Sequence, residues 1–203
     1  MEDTFMNYKS IRIHQLKEKD CLDSRTIWLD ETISGDTEFM VIKMFDRIVA
    51  MDVKAKITPE NAEPILLKIS SYGGAVDSSL SIISKIEALK DAKYRIHGYA
   101  YGKCMSGAFK IFISCTKRFA QPTTDLLCHM PNHGEYGGFY TMEDDRRRYA
   151  NSKRSWDRCK KVIIKYTNLT DEMLEESVTK NEDMYFWADE SIEQNLGIVD
   201  ELF

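Results

Sequence analysis

Three residue types that together can run acyl transfer stand in three short islands of this chain. A serine lies in Gly102-Lys103-Cys104-Met105-Ser106-Gly107-Ala108-Phe109, a histidine in Cys128-His129-Met130-Pro131, and an aspartate in Asp183-Met184-Tyr185-Phe186-Trp187-Ala188. A hydroxyl becomes a nucleophile when a base takes its proton, an imidazole titrates near neutrality, and a carboxylate can hold that ring in one tautomer. Upstream, Ser70-Ser71-Tyr72-Gly73-Gly74-Ala75-Val76 closes an apolar run and opens an amphipathic one. Its glycines allow backbone amides to approach a substrate carbonyl with no side chain in the way. The set reads as a serine peptidase.

Each residue also has a plainer reading. Ser106 precedes an apolar helical segment, where serine is a preferred cap. His14, His97 and His133 compete with His129 for the role of base, and Glu182 and Asp189 compete with Asp183 among 33 acidic residues. The Gly-x-Ser-x-Gly elbow and the Gly-x-Gly-x-x-Gly dinucleotide fingerprint are both missing. No second ligand pair stands at a zinc spacing from Cys128-His129, so neither metal nor cofactor is expected.

The elements that must carry these islands follow from periodicity. Arg25–Leu29 is a short strand, and residues 39–51 form a buried helix with Asp36 or Thr37 as its cap. Pro64–Ile69 is too short for a typical helix and reads as a buried strand feeding the glycine turn. Val76, Leu80, Ile83, Ile86 and Leu89 recur at intervals of three and four, which makes a helix with one inward face. Tyr94–Tyr101 is a second strand, turning at Gly102 into a buried helix over 108–113. Short segments follow at 117–120 and 125–129. Two strand–turn–helix units in succession predict an α/β domain with crossover connections. Asn132–Gly138 is a glycine-rich loop, and a long helix runs from Thr141 to Tyr166 with a sparse stripe of Tyr149, Trp156, Cys159, Ile163 and Tyr166. Of the aromatics, Tyr94, Tyr99, Tyr101, Phe109 and Phe112 could line a peptide groove, with the core the better place for the two phenylalanines. Residues 1–24 are polar, lack a clean period and read as an arm outside the core.

Composition narrows the class. The 203 residues carry a formal charge of −5, which argues against a nucleic-acid partner, and the basic run Arg146-Arg147-Arg148 reads as a solvated helix face. Five cysteines, an odd number with no Cys-x-x-Cys pair, point to a reducing compartment: cytoplasm, organelle stroma or an infected host cell. The acidic start and the lack of a long apolar stretch exclude a secretory leader or membrane span.

The Gly-Gly-Ala-Val turn, Met-Ser-Gly-Ala-Phe, Lys117-Arg118-Phe119-Ala120-Gln121-Pro122, His129-Met130-Pro131 and the stretch from Asp183 to Gly197-Ile198-Val199-Asp200 resemble, in order and spacing, the proteolytic subunit of the Clp protease, ClpP. The resemblance implies a ClpP/crotonase-type fold, a repeated β-β-α superhelix with a protruding handle helix. It makes residues 1–24 an arm with axial-pore loops and 25–203 the protease domain, with the handle at about 132–167. It gives Ser106 as nucleophile, His129 as base, Asp183 as orienting acid, and the amides of Gly74 and Gly107 as the oxyanion hole. It further implies heptameric rings stacked as a tetradecamer, fed with unfolded protein by a hexameric AAA+ unfoldase, and no membrane partner.

Two departures stand out. The family pattern has one residue between the nucleophile and Gly-Ala-Phe, whereas Ser106 touches Gly107 directly. Aligned on Gly-Ala-Phe, Met105 takes the nucleophile's place; aligned on Gly102, Ser106 does. Trp187 occupies a place where a small hydroxyl residue is usual. The alternatives are an inert structural subunit of the same assembly and a crotonase-type acyl-CoA enzyme.

Overall fold

Buried and half-buried side chains alternate without a break along Ile65–Ser71, the pattern of a strand covered on one face only. This strand, β2, lies parallel between β1 (Thr26–Leu29) and β3 (Ile96–Met105). The computed structural model describes residues 16–131 and 141–203. On one side of the sheet lie α2 (Gly35–Ala55), α3 (Val76–Asp91) and α4 (Gly107–Ile113), which pack against one another over the inward residues Ile27, Leu67, Ile69 and Ile96. The other face of β3 carries His97, Tyr99, Tyr101, Lys103 and Met105, all only half-buried.

β3 is ten residues long and changes neighbours halfway. Residues 97–100 pair in parallel with β4 (Lys117–Ala120), and residues 103–105 pair in parallel with β5 (Asp125–Cys128). Gly102, at φ 62°, is the joint between the two pairings, in a backbone region that costs a side-chain-bearing residue about 1–2 kcal/mol. The sequence suggested a turn at Gly102; the strand instead bends there and runs on to Met105, so the turn falls at Ser106.

The C-terminal third adds α5 (Met142–Tyr166), α6 (Asp171–Lys180), β6 (Met184–Trp187), α7 (Ala188–Glu193) and β7 (Glu201–Leu202). β6 is antiparallel to β5 and β7 is parallel to β4. Arg118 locks this part to the sheet: its guanidinium donates to both carboxylate oxygens of Asp200 and to the carbonyls of Tyr166 and Gly197.

α5 starts at a reciprocal cap, in which the Thr141 hydroxyl accepts from the Asp144 amide and the Asp144 carboxylate accepts from the Thr141 amide. Its buried residues are Ser152, Trp156, Cys159 and Ile163, against α4 and α6. Tyr149, expected in that stripe, is 65% exposed. The helix therefore leaves its N-terminal half uncovered.

Two other expectations change. Ser34, not Asp36 or Thr37, caps α2 through its hydroxyl. Residues 16–24 form a helix, α1, rather than an arm: Cys21 is fully buried with its thiol 3.5 Å from the Met44 carbonyl, and Lys17 pairs with Asp30. Cys21 is the single buried apolar side chain of α1, which is why no period shows in its sequence. Residues 1–15 and the glycine-rich loop lie outside the described residues.

Candidate active site

Ser106 sits between the last residue of β3 and the first of α4, at φ 53° and ψ −114°. A non-glycine residue at positive φ is strained by about 1–3 kcal/mol and persists only where its surroundings fix it. Here the Ser106 amide donates to the Leu127 carbonyl at 2.8 Å, and every residue of α4 is buried. The conformation turns the hydroxyl out of the sheet toward the end of β5.

Strand register then brings the partners together. Met105 pairs with Leu127, so the residues following them, on β3 and β5, emerge side by side. His129 Nε2 lies 2.8 Å from Ser106 Oγ. Cys128 pairs with Met184 across the antiparallel β5/β6 ladder; one step further along that register, Asp183 faces His129, with Oδ1 3.5 Å from Nδ1. That is longer than a hydrogen bond, and the buried Nδ1 has no hydrogen-bond partner. Asp183 is itself 43% exposed. With the ring proton on Nδ1, Nε2 accepts from the Ser106 hydroxyl.

Burial, and behind it the Lys110 charge, lower the His129 pKa below its ordinary 6.5, while Asp183 opposes them. The imidazole is thus neutral at pH 7, as a base must be. The neighbouring Cys128 is no rival nucleophile, because burial pushes its thiol to about 12. The other four cysteines are likewise free and buried.

Gly74 lines the cleft beside Ser106, and Gly107 follows Ser106 as the first residue of α4. Ile33 bridges to the glycine turn through its amide to the Gly73 carbonyl and its carbonyl to the Ala75 amide, which leaves the Gly74 amide directed away from it. A Cβ on Gly74 would lie 2.2 Å from the Ile33 carbonyl oxygen, so only glycine fits this approach. A Cβ on Gly107 would meet the Ser79 hydroxyl at 2.2 Å. Among the described residues neither amide donates a backbone hydrogen bond.

These groups open into a cleft of about 280 Å³ lined by Tyr72, Gly74, Val76, Met105, Ser106, Leu127, His129 and Pro131. Met105, the other candidate for the nucleophile's position, lines the wall, while Ser106 holds the contact with His129. The aromatics expected to line a groove lie elsewhere. Tyr94, Phe109 and Phe112 are in the core, and Tyr99 stacks on Phe119 with Tyr101 against Phe203. His97 packs on the Phe119 ring instead of reaching the serine, and Asp189 lies in α7. His14 and His133 lie outside the described residues.

Sequence reasoning did not single out Tyr72, Val76, Leu127 or Pro131 as lining residues, and it passed over Lys110. Lys110 is 2% exposed in the middle of α4 and is the cation acting on His129. A charge inside Ala-Phe-Lys-Ile-Phe was the visible signal.

The Clp protease family model matches residues 13–203, and the chain belongs to that family. It is 26% identical over 195 residues to the ATP-dependent Clp protease proteolytic subunit 2 of Borreliella burgdorferi, covering 94% of this chain and 88% of that one. It is 25% identical over 183 residues to proteolytic subunit 1 of Streptomyces coelicolor (89% and 75% covered), and 23% identical over 193 residues to proteolytic subunit 1 of Chlamydia pneumoniae (93% of each). The mixed α/β architecture with its parallel sheet agrees with that family.

Proposed function

We propose that this member of the Clp protease family is a working proteolytic subunit, a serine endopeptidase that cuts unfolded chains. The observation that carries the reading is the 2.8 Å contact between Ser106 Oγ and His129 Nε2 at the floor of an open cleft. Ser106 Oγ attacks the peptide carbonyl carbon while His129 Nε2 takes its proton, and the carbonyl π electrons move to the oxygen. The amides of Gly74 and Gly107 stabilise that oxyanion. His129 returns the proton to the departing amine as the C–N bond breaks, leaving an acyl-serine. Water, deprotonated by the same ring, releases the second product. Asp183 orients the imidazole and stabilises its cation, closing its 3.5 Å gap when positive charge develops on the ring.

An inert structural role is the second reading, and the acyl-CoA role the third. Both would leave the serine-imidazole contact without a purpose. By kinship with the relatives above, the subunit works in stacked heptameric rings with an ATP-dependent unfoldase, in the cytoplasm. The uncovered half of α5 suits such a contact. The test is labelling by a fluorophosphonate together with sizing by light scattering. Wild type should label and run as a ring or double ring, and Ser106→Ala should assemble without labelling. Assembled wild-type protein that neither labels nor cleaves would return the chain to the structural reading.

A further inference from the structure

A second cleft, also of about 280 Å³, lies next to the first and is lined by Asp125, Tyr185, Phe186, Trp187 and Glu190. Strand register places the two on one sheet face. Met105 pairs with Leu127 and Leu127 with Tyr185, while Lys103 pairs with Asp125 and Asp125 with Trp187. Directly paired residues point to the same side. Leu127 therefore walls the Ser106 cleft while its partner Tyr185 walls the second one.

The chemistry of this second cleft is that of a cation receptor. Tyr185 and Trp187 are 60% and 46% exposed, a large aromatic area left uncovered. Asp125 and Glu190 supply two carboxylates; neither forms an ion pair among the described residues, and Glu190 accepts from the Trp187 amide at 3.5 Å, which holds it beside the indole. Lys103, which pairs with Asp125 across the β3/β5 ladder, holds its ammonium 4.5 Å from the Tyr72 ring on the wall of the first cleft. Aromatic faces beside unpaired carboxylates bind a guanidinium or ammonium through cation–π and charge-assisted contacts. Trp187 supplies part of this surface where the resembled pattern has a small hydroxyl residue.

We propose that the Trp187 cleft is a substrate subsite that seats an arginine or lysine side chain of the peptide being cut, about three to four residues from the scissile bond. The offset combines two strand spacings of about 4.8 Å from β3 to β6 with the displacement along β3 from Ser106 back toward Lys103, roughly 10–14 Å in all, against a rise of about 3.3 Å per residue in an extended peptide. The proposal rests on the peptidase reading. Its closing experiment therefore measures binding as well as cleavage.

Fluorescent peptides of one sequence carry either arginine or glutamine at each position two to four residues from the scissile bond, on either side. Binding to Ser106→Ala protein is read by fluorescence polarisation, and cleavage by wild type is read in parallel. Arginine at the matching position is expected to bind about tenfold more tightly than glutamine, and to raise kcat/KM by a similar factor. Trp187→Ser should bring both ratios close to one, as should Asp125→Asn, which keeps the shape of the side chain should the tryptophan variant fold poorly. Equal binding of the two peptides at every position, or a ratio that survives both variants, overturns the subsite. Preferential binding without cleavage by wild type would uphold the subsite and overturn the peptidase reading.

Discussion

The serine and the aspartate meet the same imidazole from parts of the molecule built to different standards. Ser106 is held between β3 and α4, where β3 is flanked by β2, β4 and β5, and α4 is wholly buried. Asp183 stands at the mouth of β6, a four-residue strand that among the described residues pairs with β5 alone and leaves alternate residues in solvent. The distances follow this difference: 2.8 Å on the serine side, 3.5 Å on the aspartate side. An interior strand fixes a side chain through packing on every side, whereas an edge strand gives it room to shift. The serine–imidazole contact is thus held rigidly, while the aspartate facing the same ring is left adjustable.

The largest expected effect tests that asymmetry. Ser106→Ala and His129→Ala should each lower kcat/KM on a peptide substrate by roughly 10⁴-fold or more, because either removes the attack itself. Asp183→Asn should cost at least about tenfold less than these, since its contact is already open in the resting molecule. Steady-state assays on the three purified, assembled variants decide it. An Asp183→Asn loss equal to that of Ser106→Ala would mean that the aspartate contact is as rigid in the working state as the serine contact.

The rigid half also predicts which small residue is indispensable. In Gly74→Ala the new methyl falls 2.2 Å from the Ile33 carbonyl oxygen, whose bond to the Ala75 amide holds the turn in place. Backbone must move, at a cost of about 2–3 kcal/mol in unfolding free energy. The amide proposed to hold the oxyanion moves with it, which should lower kcat by about 10²-fold. Denaturant unfolding and turnover measured on one preparation would show both losses. Normal turnover with lowered stability would remove Gly74 from the oxyanion site while leaving its structural role.

Much of the first half was legible because its patterns repeat. The strand over Pro64–Ile69 and the spacing of Val76, Leu80, Ile83, Ile86 and Leu89 each fit a single element type. Glycine misled at Gly102, since a residue at positive φ can joint a strand as well as end one. Tyr149 was misread and Cys21 went unread for opposite reasons: one is an aromatic residue on an uncovered stretch of helix, the other the lone buried apolar residue of a polar segment. At the site, the three residue types and their order were visible. Whether Met105 or Ser106 meets His129 was not, because one missing residue can be absorbed on either side of the turn. The pairing of Met105 with Leu127 sets that contact, and strand register is a tertiary property. Leu127 and Tyr72 stayed hidden for the same reason.

The smallest effect expected is on pH dependence, and it probes Lys110, the buried charge of α4. His129 must be neutral to accept the serine proton, so the rate falls as pH drops through its pKa. Burial and then Lys110 lower that pKa below 6.5, which puts the acid limb of kcat/KM below pH 6.5. The charged groups acting on the ring are Lys110 from α4 and Asp183 before β6, with opposite signs. Lys110→Met removes a cation that disfavours the protonated ring, so the limb moves up toward 6.5. The variant then loses relative activity on the acid side while matching wild type on the plateau. Asp183→Asn removes an anion that favours the protonated ring, so its residual activity should show a limb displaced the opposite way. If both substitutions shift the limb in one direction, or Lys110→Met lowers the plateau and leaves the limb in place, then Lys110 acts through packing of α4 and the field at His129 comes from burial alone.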